Sequence, residues 1–317
     1  MIYTVGAIRK TIGIVGVLMV GCCSLPVNVL SQDIHVIKVT SPQELHDFFE
    51  HRENNIPVIS GHRGGIVEGF PENSIETLEN TLRHTPAFFE IDPRLTKDSV
   101  IVLMHDATLN RTTNAEGKLA DYTWKEVQQF NLVDHKGKAT TYKIPSLEQV
   151  IEWARGKTIL NLDKKDVPLD MTADLLEKTD ALSHVMLTVH HPSEARYYLN
   201  RNKDFMFSAF IRSKEEFEAY ESEKIPWKQV MAYVGPLSKP ENRELYDMLH
   251  ERGVMVMVSA ASSYDKLENN EERIKAYTKV FEDGADVLES DLPIDVAGAI
   301  RGLFPRNSPK GKYFGVQ

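Results

Sequence analysis

The chain has 317 residues, of which 42% are hydrophobic and 26% charged, and its mean hydropathy is -0.32. These proportions exclude a disordered chain and a polytopic membrane protein. A formal charge of -9 gives no electrostatic basis for binding nucleic acid, and both cysteines, Cys22 and Cys23, lie near the N-terminus, so no disulfide framework or thiolate metal site runs through the rest.

Residues 1–31 read as an export leader. Arg9 and Lys10 precede an apolar run over residues 11–21, and no charge occurs between Lys10 and Asp33. Pro26 and Asn28 interrupt the continuation, which argues against a permanent membrane span. Val29-Leu30-Ser31 suits signal peptidase cleavage, and Met19-Val20-Gly21-Cys22 offers a second route, a lipobox with Cys22 acylated. The chain is therefore expected to be exported, either periplasmic or secreted, with Cys22 as its one route to a membrane-anchored lipoprotein. Residues 32–55 form a lead-in.

Short β-branched runs then recur from residue 56 to 304. They are 58–61, 88–91, 100–104, 159–162, 185–189, 205–210, 230–234, 254–258 and 287–289. Apolar on both faces, runs of this length suit buried parallel strands. Helix starts follow most of them, at Ser74, Pro145-Ser146, Pro192-Ser193 and Pro293-Ile294. Only residues 92–99 separate the second run from the third, too few for a parallel crossover, so those two are expected to pair as an antiparallel hairpin. The eight others predict an α/β fold: an eight-stranded parallel (β/α) TIM barrel, with a hairpin and a small loop insertion, residues 106–145, after the second strand. Residues 305–317 are expected to form a flexible tail.

Charge gathers where these strands end, which a buried strand does not do without cause. The first run closes on Gly61-His62-Arg63-Gly64-Gly65, the second carries Glu90 and Asp92, the hairpin return ends in His105-Asp106, and the third parallel strand ends in Asp163-Lys164-Lys165. Glu90 and Asp92 are two apart and point to one side. Two carboxylates in a barrel mouth repel unless a cation joins them, and Asp163 supplies a third acid. Oxygen ligands without Cys favour one divalent cation, Ca²⁺ or Mg²⁺. His62 and His105 suit the division of proton removal and proton donation, and Arg63 offers a planar fork for phosphate. His35, His46, His51, His84 and His135 are taken as surface residues.

Together these motifs resemble the glycerophosphodiester phosphodiesterase family. The resemblance spans roughly residues 56 to 304 and rests on His62-Arg63-Gly64, Pro71-Glu72-Asn73, Glu90-Ile91-Asp92, His105-Asp106 and Glu289-Ser290-Asp291 in that order. It implies an enzyme, a metal-dependent hydrolase that cleaves a small-molecule glycerophosphodiester to sn-glycerol 3-phosphate and an alcohol. It also implies metal ligands at Glu90, Asp92 and Asp163, an acid/base pair at His62 and His105, and phosphoryl contacts from Arg63 and Lys165. The chain departs from the family pattern at three places. Asp163 stands where most members have Glu, and Asp163-Lys164-Lys165 is similar to the sphingomyelinase D relatives. Val189-His190-His191 replaces Ser-Phe-Asp, so His190 is expected to contact substrate. A Trp-Thr pair is absent near Met257, which removes an aromatic wall. Glu289 is expected to line the mouth, and Asp291 either lines it or caps the last helix. Two alternatives follow: phospholipase D-like cleavage of lysophospholipids or sphingolipids, and a non-catalytic surface binding protein.

Overall fold

A computed structural model describes Met1 and residues 33–317. The leader and the Cys22 anchor fall outside the described residues. In chain order the elements are β1 (His35–Ile37), α1 (Pro42–Phe48), β2 (Val58–His62), α2 (Ile75–Leu82), β3 (Phe88–Ile91), β4 (Pro93–Leu95), β5 (Ile101–Leu103), the single turn α3 (Trp124–Val127) and α4 (Leu147–Ala154). They continue with β6 (Leu160–Leu162), α5 (Leu169–Lys178), β7 (Val185–Val189), α6 (Pro192–Arg201), β8 (Met206–Phe210), α7 (Lys214–Ser222), β9 (Val230–Gly235), α8 (Arg243–Glu251), β10 (Val256–Ser259), α9 (Asn270–Glu282), β11 (Val287–Ser290), α10 (Pro293–Ile300) and β12 (Phe314–Val316).

Eight parallel strands close the barrel in the order β2-β3-β6-β7-β8-β9-β10-β11, and β11 returns to β2. All eight expected parallel strands are present. Helix starts follow their chemistry: Ser74 Oγ accepts from Thr77 N at the start of α2, and Ser146 caps α4 with a reciprocal bond from Gln149.

Residues alternate along each strand, and the barrel interior is layered. Val58, Phe88, Ile159, Met186, Met206, Met231, Met255 and Val287 fill the lower interior, with Phe48, Phe49 and Tyr313 packed against them. Their chain neighbours Ile59, Phe89, Leu160, Leu187, Phe207, Ala232, Val256 and Leu288 face outward against the helices. The next inward positions up are mostly polar: Ser60, Glu90, Asn161, Thr188, Ser208 and Glu289. The lower plug supplies the apolar burial, and the strands' carboxyl ends are left for chemistry.

Two expectations require correction. The hairpin is formed by β4 and β5, not by the barrel strand 88–91. Pro93 has no amide proton for the barrel ladder, so the chain leaves the barrel after Asp92 and turns back in a separate two-stranded sheet. The C-terminal residues are not a frayed tail. β12 pairs antiparallel with β1, Tyr313 meets Phe48 edge to face, and Lys310 is buried. This pairing uses the lead-in as its partner strand and covers the lower plug. The insertion at 106–145 has its own apolar core of Leu109, Leu119, Val127, Leu132 and Ile144, which packs on Val102 and Met104.

Candidate active site

The turn after β2 sets the site's backbone. Arg63 and Asn73 both have φ above zero, at 54° and 58°, and Asn73 N donates to Arg63 O. Gly64 has φ 95°, and a Cβ there would lie 2.8 Å from Thr77 Cγ2. Only glycine allows α2 to pack this closely on the turn. In return Asn73 clamps the next strand: its Nδ2 donates to Asp92 Oδ2 at 2.7 Å, and its Oδ1 accepts from Asp92 N at 3.1 Å.

Glu90, Asp92 and Asp163 converge, each offering one oxygen, with the three oxygens all within 4.8 Å of one another. Glu90 is buried. Burial first, then repulsion from Asp92, Glu289 and Asp163, pushes its carboxyl well above the usual range. Burial would also raise Asp92, but Lys165, Arg63 and the Asn73 amide hold it below the usual range. Lys165 Nζ lies 3.1 Å from Asp92 Oδ1 and also pairs with Asp163. Glu90 Oε2 is nevertheless buried without a hydrogen-bond donor, and the Lys165 ammonium is the nearest charge to Asp92 Oδ1. A cluster of acids with an unspent oxygen fits a hard divalent cation.

Each expected histidine has a carboxylate partner. His62 Nδ1 is 2.6 Å from Asp291 Oδ1, and its Nε2 is 3.8 Å from Glu90 Oε2. A carboxylate only accepts, so the proton sits on Nδ1 and leaves the Nε2 lone pair free. Burial opposes the charge on His62, but Asp291 and Glu289 outweigh it and raise its pKa. Asp291 is held from behind: its amide donates to Asp265 Oδ2 at 2.6 Å, and its Oδ2 accepts from Lys266 at 3.0 Å. His105 Nδ1 bonds Asp106 Oδ1 at 2.7 Å, and Arg111 bridges Asp106 to Glu72. Arg63 Nη1 donates to the same Glu72, while its Nε is buried without an acceptor, 3.4 Å from Asp92 Oδ2.

Two cavities meet at His62 and Ser259. The smaller, about 150 Å³, enters the barrel and is lined by Glu90, Asp163, Phe210, Tyr233, Met257 and Glu289 among others. Phe210 and Tyr233, with ring centroids 4.6 Å apart, supply the aromatic wall whose absence the sequence predicts. Glu289 lines this cavity as expected; burial raises its pKa, and Ser60 Oγ donates to it at 3.2 Å. The larger cavity, about 610 Å³, lies beneath the insertion between Arg63, Glu72, Arg111, Asp134, Lys266 and Asp291.

Two expected site residues do not form the walls of these cavities. His190 lines neither cavity. Its ring packs edge-on against the back of Phe210, because its backbone amide is tied to Glu194 at the start of α6. His105 also lines neither, although its charge acts on Asp92. Sequence reasoning missed Asn73, Glu72 and Lys266. Asn73 had a signal: it follows Pro71-Glu72 directly and adopts the left-handed conformation that Asn tolerates.

Residues 62–267 match the glycerophosphoryl diester phosphodiesterase family. A crystal structure of a glycerophosphoryl diester phosphodiesterase from Parabacteroides distasonis is 54% identical, covers 90% of this chain and all of that one, and superposes with a TM-score of 0.88. A glycerophosphodiester phosphodiesterase of Bacillus altitudinis is 34% identical over 114 residues, 34% of this chain and 45% of that protein. The chain spans less than half the length of the curated relatives it matches. An Oleispira antarctica phosphodiesterase solved with its product sn-glycerol-3-phosphate is 17% identical, covering 78% of this chain and 97% of that one at a TM-score of 0.59, which shows a shared fold.

Proposed function

The chain belongs to the glycerophosphoryl diester phosphodiesterase family, and from that membership and the geometry of the mouth we propose that it hydrolyses glycerophosphodiesters to sn-glycerol 3-phosphate and an alcohol. One observation carries the proposal: Glu90, Asp92 and Asp163 bring their oxygens together, and the unpartnered Glu90 Oε2 faces Nε2 of the Asp291-held His62.

Glu90, Asp92 and Asp163 would hold one divalent cation, Ca²⁺ or Mg²⁺, through oxygen alone. Bound there, the cation supplies a Lewis acid for a phosphoryl oxygen. Arg63 brings the unspent Nε–H and a fixed planar fork to the phosphodiester. Lys165, released in part from the acids, adds a second positive charge. The small cavity suits the glycerol, with Phe210 and Tyr233 excluding water. One imidazole of the pair His62 and His105 removes the proton of the attacking oxygen, which is water or the substrate's own 2-hydroxyl. The other returns a proton to the departing alkoxide as the phosphorus–oxygen bond breaks. Asp291 and Asp106 each hold an Nδ1–H, so Nε2 does this work, bare on the imidazole that takes the proton and protonated on the imidazolium that gives one.

The larger cavity offers charge from Arg63, Glu72, Arg111, Asp134, Lys266 and Asp291 to a polar alcohol, beside an apolar wall of Ile66, Phe70 and Val133. The substrate comparison below separates this reading from the phospholipase D-like one. We further propose export, on the leader pattern of residues 1–31 alone. The test of activity is release of sn-glycerol 3-phosphate from glycerophosphocholine and glycerophosphoinositol by the purified chain, with long-chain lysophosphatidylcholine beside them. Activity that chelator removes and Ca²⁺ or Mg²⁺ restores supports the proposal. No hydrolysis of any phosphodiester with either ion overturns it in favour of a binding role.

A further inference from the structure

The bond from Asp291 to His62 Nδ1 depends on where the Asp291 backbone lies, and the barrel ladder does not fix it. β11 ends at Ser290, whose register partner on β2 is Gly61, so Asp291 stands one residue beyond the paired strand. Two contacts replace the ladder. The Asp291 carbonyl accepts from Ile66 N at 2.6 Å, and the Asp291 amide donates to Asp265 Oδ2 at 2.6 Å. Asp265 lies in the short turn Tyr264–Lys266 between β10 and α9. The next residue, Lys266, reaches Asp291 Oδ2 at 3.0 Å, so one turn holds both the backbone and the side chain of Asp291.

Asp265 is itself held with little freedom. It is buried and lines neither cavity of the mouth. Tyr277 Oη, on α9, donates to its Oδ1 at 2.6 Å, and Ser290 Oγ lies 2.9 and 3.0 Å from its two oxygens. Ser290 Oγ in turn accepts from Leu292 N at 2.8 Å. Three neutral donors from three segments therefore meet one buried carboxylate. Burial pushes that carboxyl above its usual range, and the charge of Asp291 adds to the shift. Charge is unfavourable at this place, so what the turn uses is the geometry of the two acceptors. From Asp265 the contacts run through the Asp291 backbone to His62, whose Nε2 faces Glu90.

Given the work assigned to His62 above, on which this rests, we propose that Asp265 is a positioning residue: by accepting the Asp291 amide it aims the Asp291 carboxylate at His62 Nδ1. It touches no reacting atom. Its removal frees the turn that follows β11, and the 2.6 Å bond that orients the imidazole loses its fixed base.

The test uses the full chain and reads kcat, Tm and the proton resonance of His62 Nδ1–H. Asp265→Ala removes the acceptor and should lower kcat by about 10- to 10²-fold. Asp265→Asn should restore near-native kcat. Its Oδ1 takes the Asp291 amide where Oδ2 stood, and its Nδ2 donates to Tyr277 Oη once the phenol proton turns away. Tyr277→Phe deletes a bond to the same carboxylate but leaves the Asp291 amide its acceptor, so it should lower Tm and keep kcat near native. In an Asp291→Asn background, Asp265→Ala should lower kcat no further, because it acts through that carboxylate. Where Asp265→Ala does not fold, Asp265→Ser takes its place, since its shorter side chain fills the pocket without reaching the Asp291 amide. The His62 resonance, identified by its loss in Asp291→Asn, should shift or broaden in Asp265→Ala and return in Asp265→Asn. An inactive native chain refutes the hydrolase reading, and this resonance then still decides whether Asp265 orients the ring. A folded Asp265→Ala protein with native kcat and an unchanged resonance overturns the proposal. So does a loss of kcat in Tyr277→Phe equal to that in Asp265→Ala, or an equal further loss in the Asp291→Asn background, either of which makes the turn a support for the fold alone.

Discussion

Asp291→Asn isolates one atom pair in the proposed mechanism. The 2.6 Å contact with His62 Nδ1 is a charge-assisted hydrogen bond that also chooses the tautomer. The amide can present its NH₂ group to Nδ1 instead, which places the ring proton on Nε2 and closes the lone pair needed beside Glu90. The lost bond alone is worth about 1.5–3 kcal/mol, or roughly 10- to 10²-fold in rate. Loss of correct proton transfer is worth about 10²–10⁴-fold. Because these describe the same imidazole they do not add, and the expected fall in kcat is about 10²–10⁴-fold. KM is read beside kcat, because Asp291 also lines the larger cavity. The assay is coupled detection of sn-glycerol 3-phosphate, with circular dichroism to confirm folding. Lys266→Met separates loss of the other Asp291 partner from loss of the His62 bond. Its partner pair is 61% exposed at the lysine, so less than about 1 kcal/mol is at stake. A folded Asp291→Asn protein with near-native kcat would refute the role given to the His62–Asp291 pair.

Other outcomes follow from the packing. Gly64→Ala should cost at least about 1–3 kcal/mol in urea unfolding, because φ 95° and a 2.8 Å approach to Thr77 Cγ2 both oppose a methyl group; an unchanged midpoint contradicts the fit between that turn and α2. Burial beside Met255 and Phe48 pushes Lys310 down from its ordinary 10.5 to about 7, partly offset by Asp286. The unfolded chain therefore binds more protons between pH 7 and 10.5, and stability should rise with pH across that window. Lys310→Met should flatten this rise and stabilise the protein below pH 7 by on the order of 4 kcal/mol; equal pH slopes for the two proteins in chemical denaturation would show that the amine is solvated.

The barrel was legible because its strands are short, β-branched and separated by recognisable helix starts such as Ser74 and Ser146. Glu90 and Asp92 were legible for a related reason: they share a side of one strand, and nothing apolar explains them. The layering was not, because runs such as Val185–Val189 are apolar at every position but Thr188, and only the closed barrel reveals that Met186 and Thr188 face inward. His62 and Asp291 are 229 residues apart, so no local pattern announces their bond. The placement of His190 against Phe210 was not legible, because its position relative to α6, not its type, decides where the ring points. The C-terminal strand escaped notice because residues 305–317 are polar and proline-bearing, and their partner strand, β1, lies at the other end of the described residues.

The central claim is that Glu90, Asp92 and Asp163 share one cation. Crystals of the full chain soaked in Mn²⁺, a hard ion visible by anomalous scattering, test it most directly. The account predicts an anomalous peak touching oxygens of all three side chains in the native protein and lost in Asp92→Asn. Full chelator-resistant activity, with no peak at these carboxylates, would contradict it.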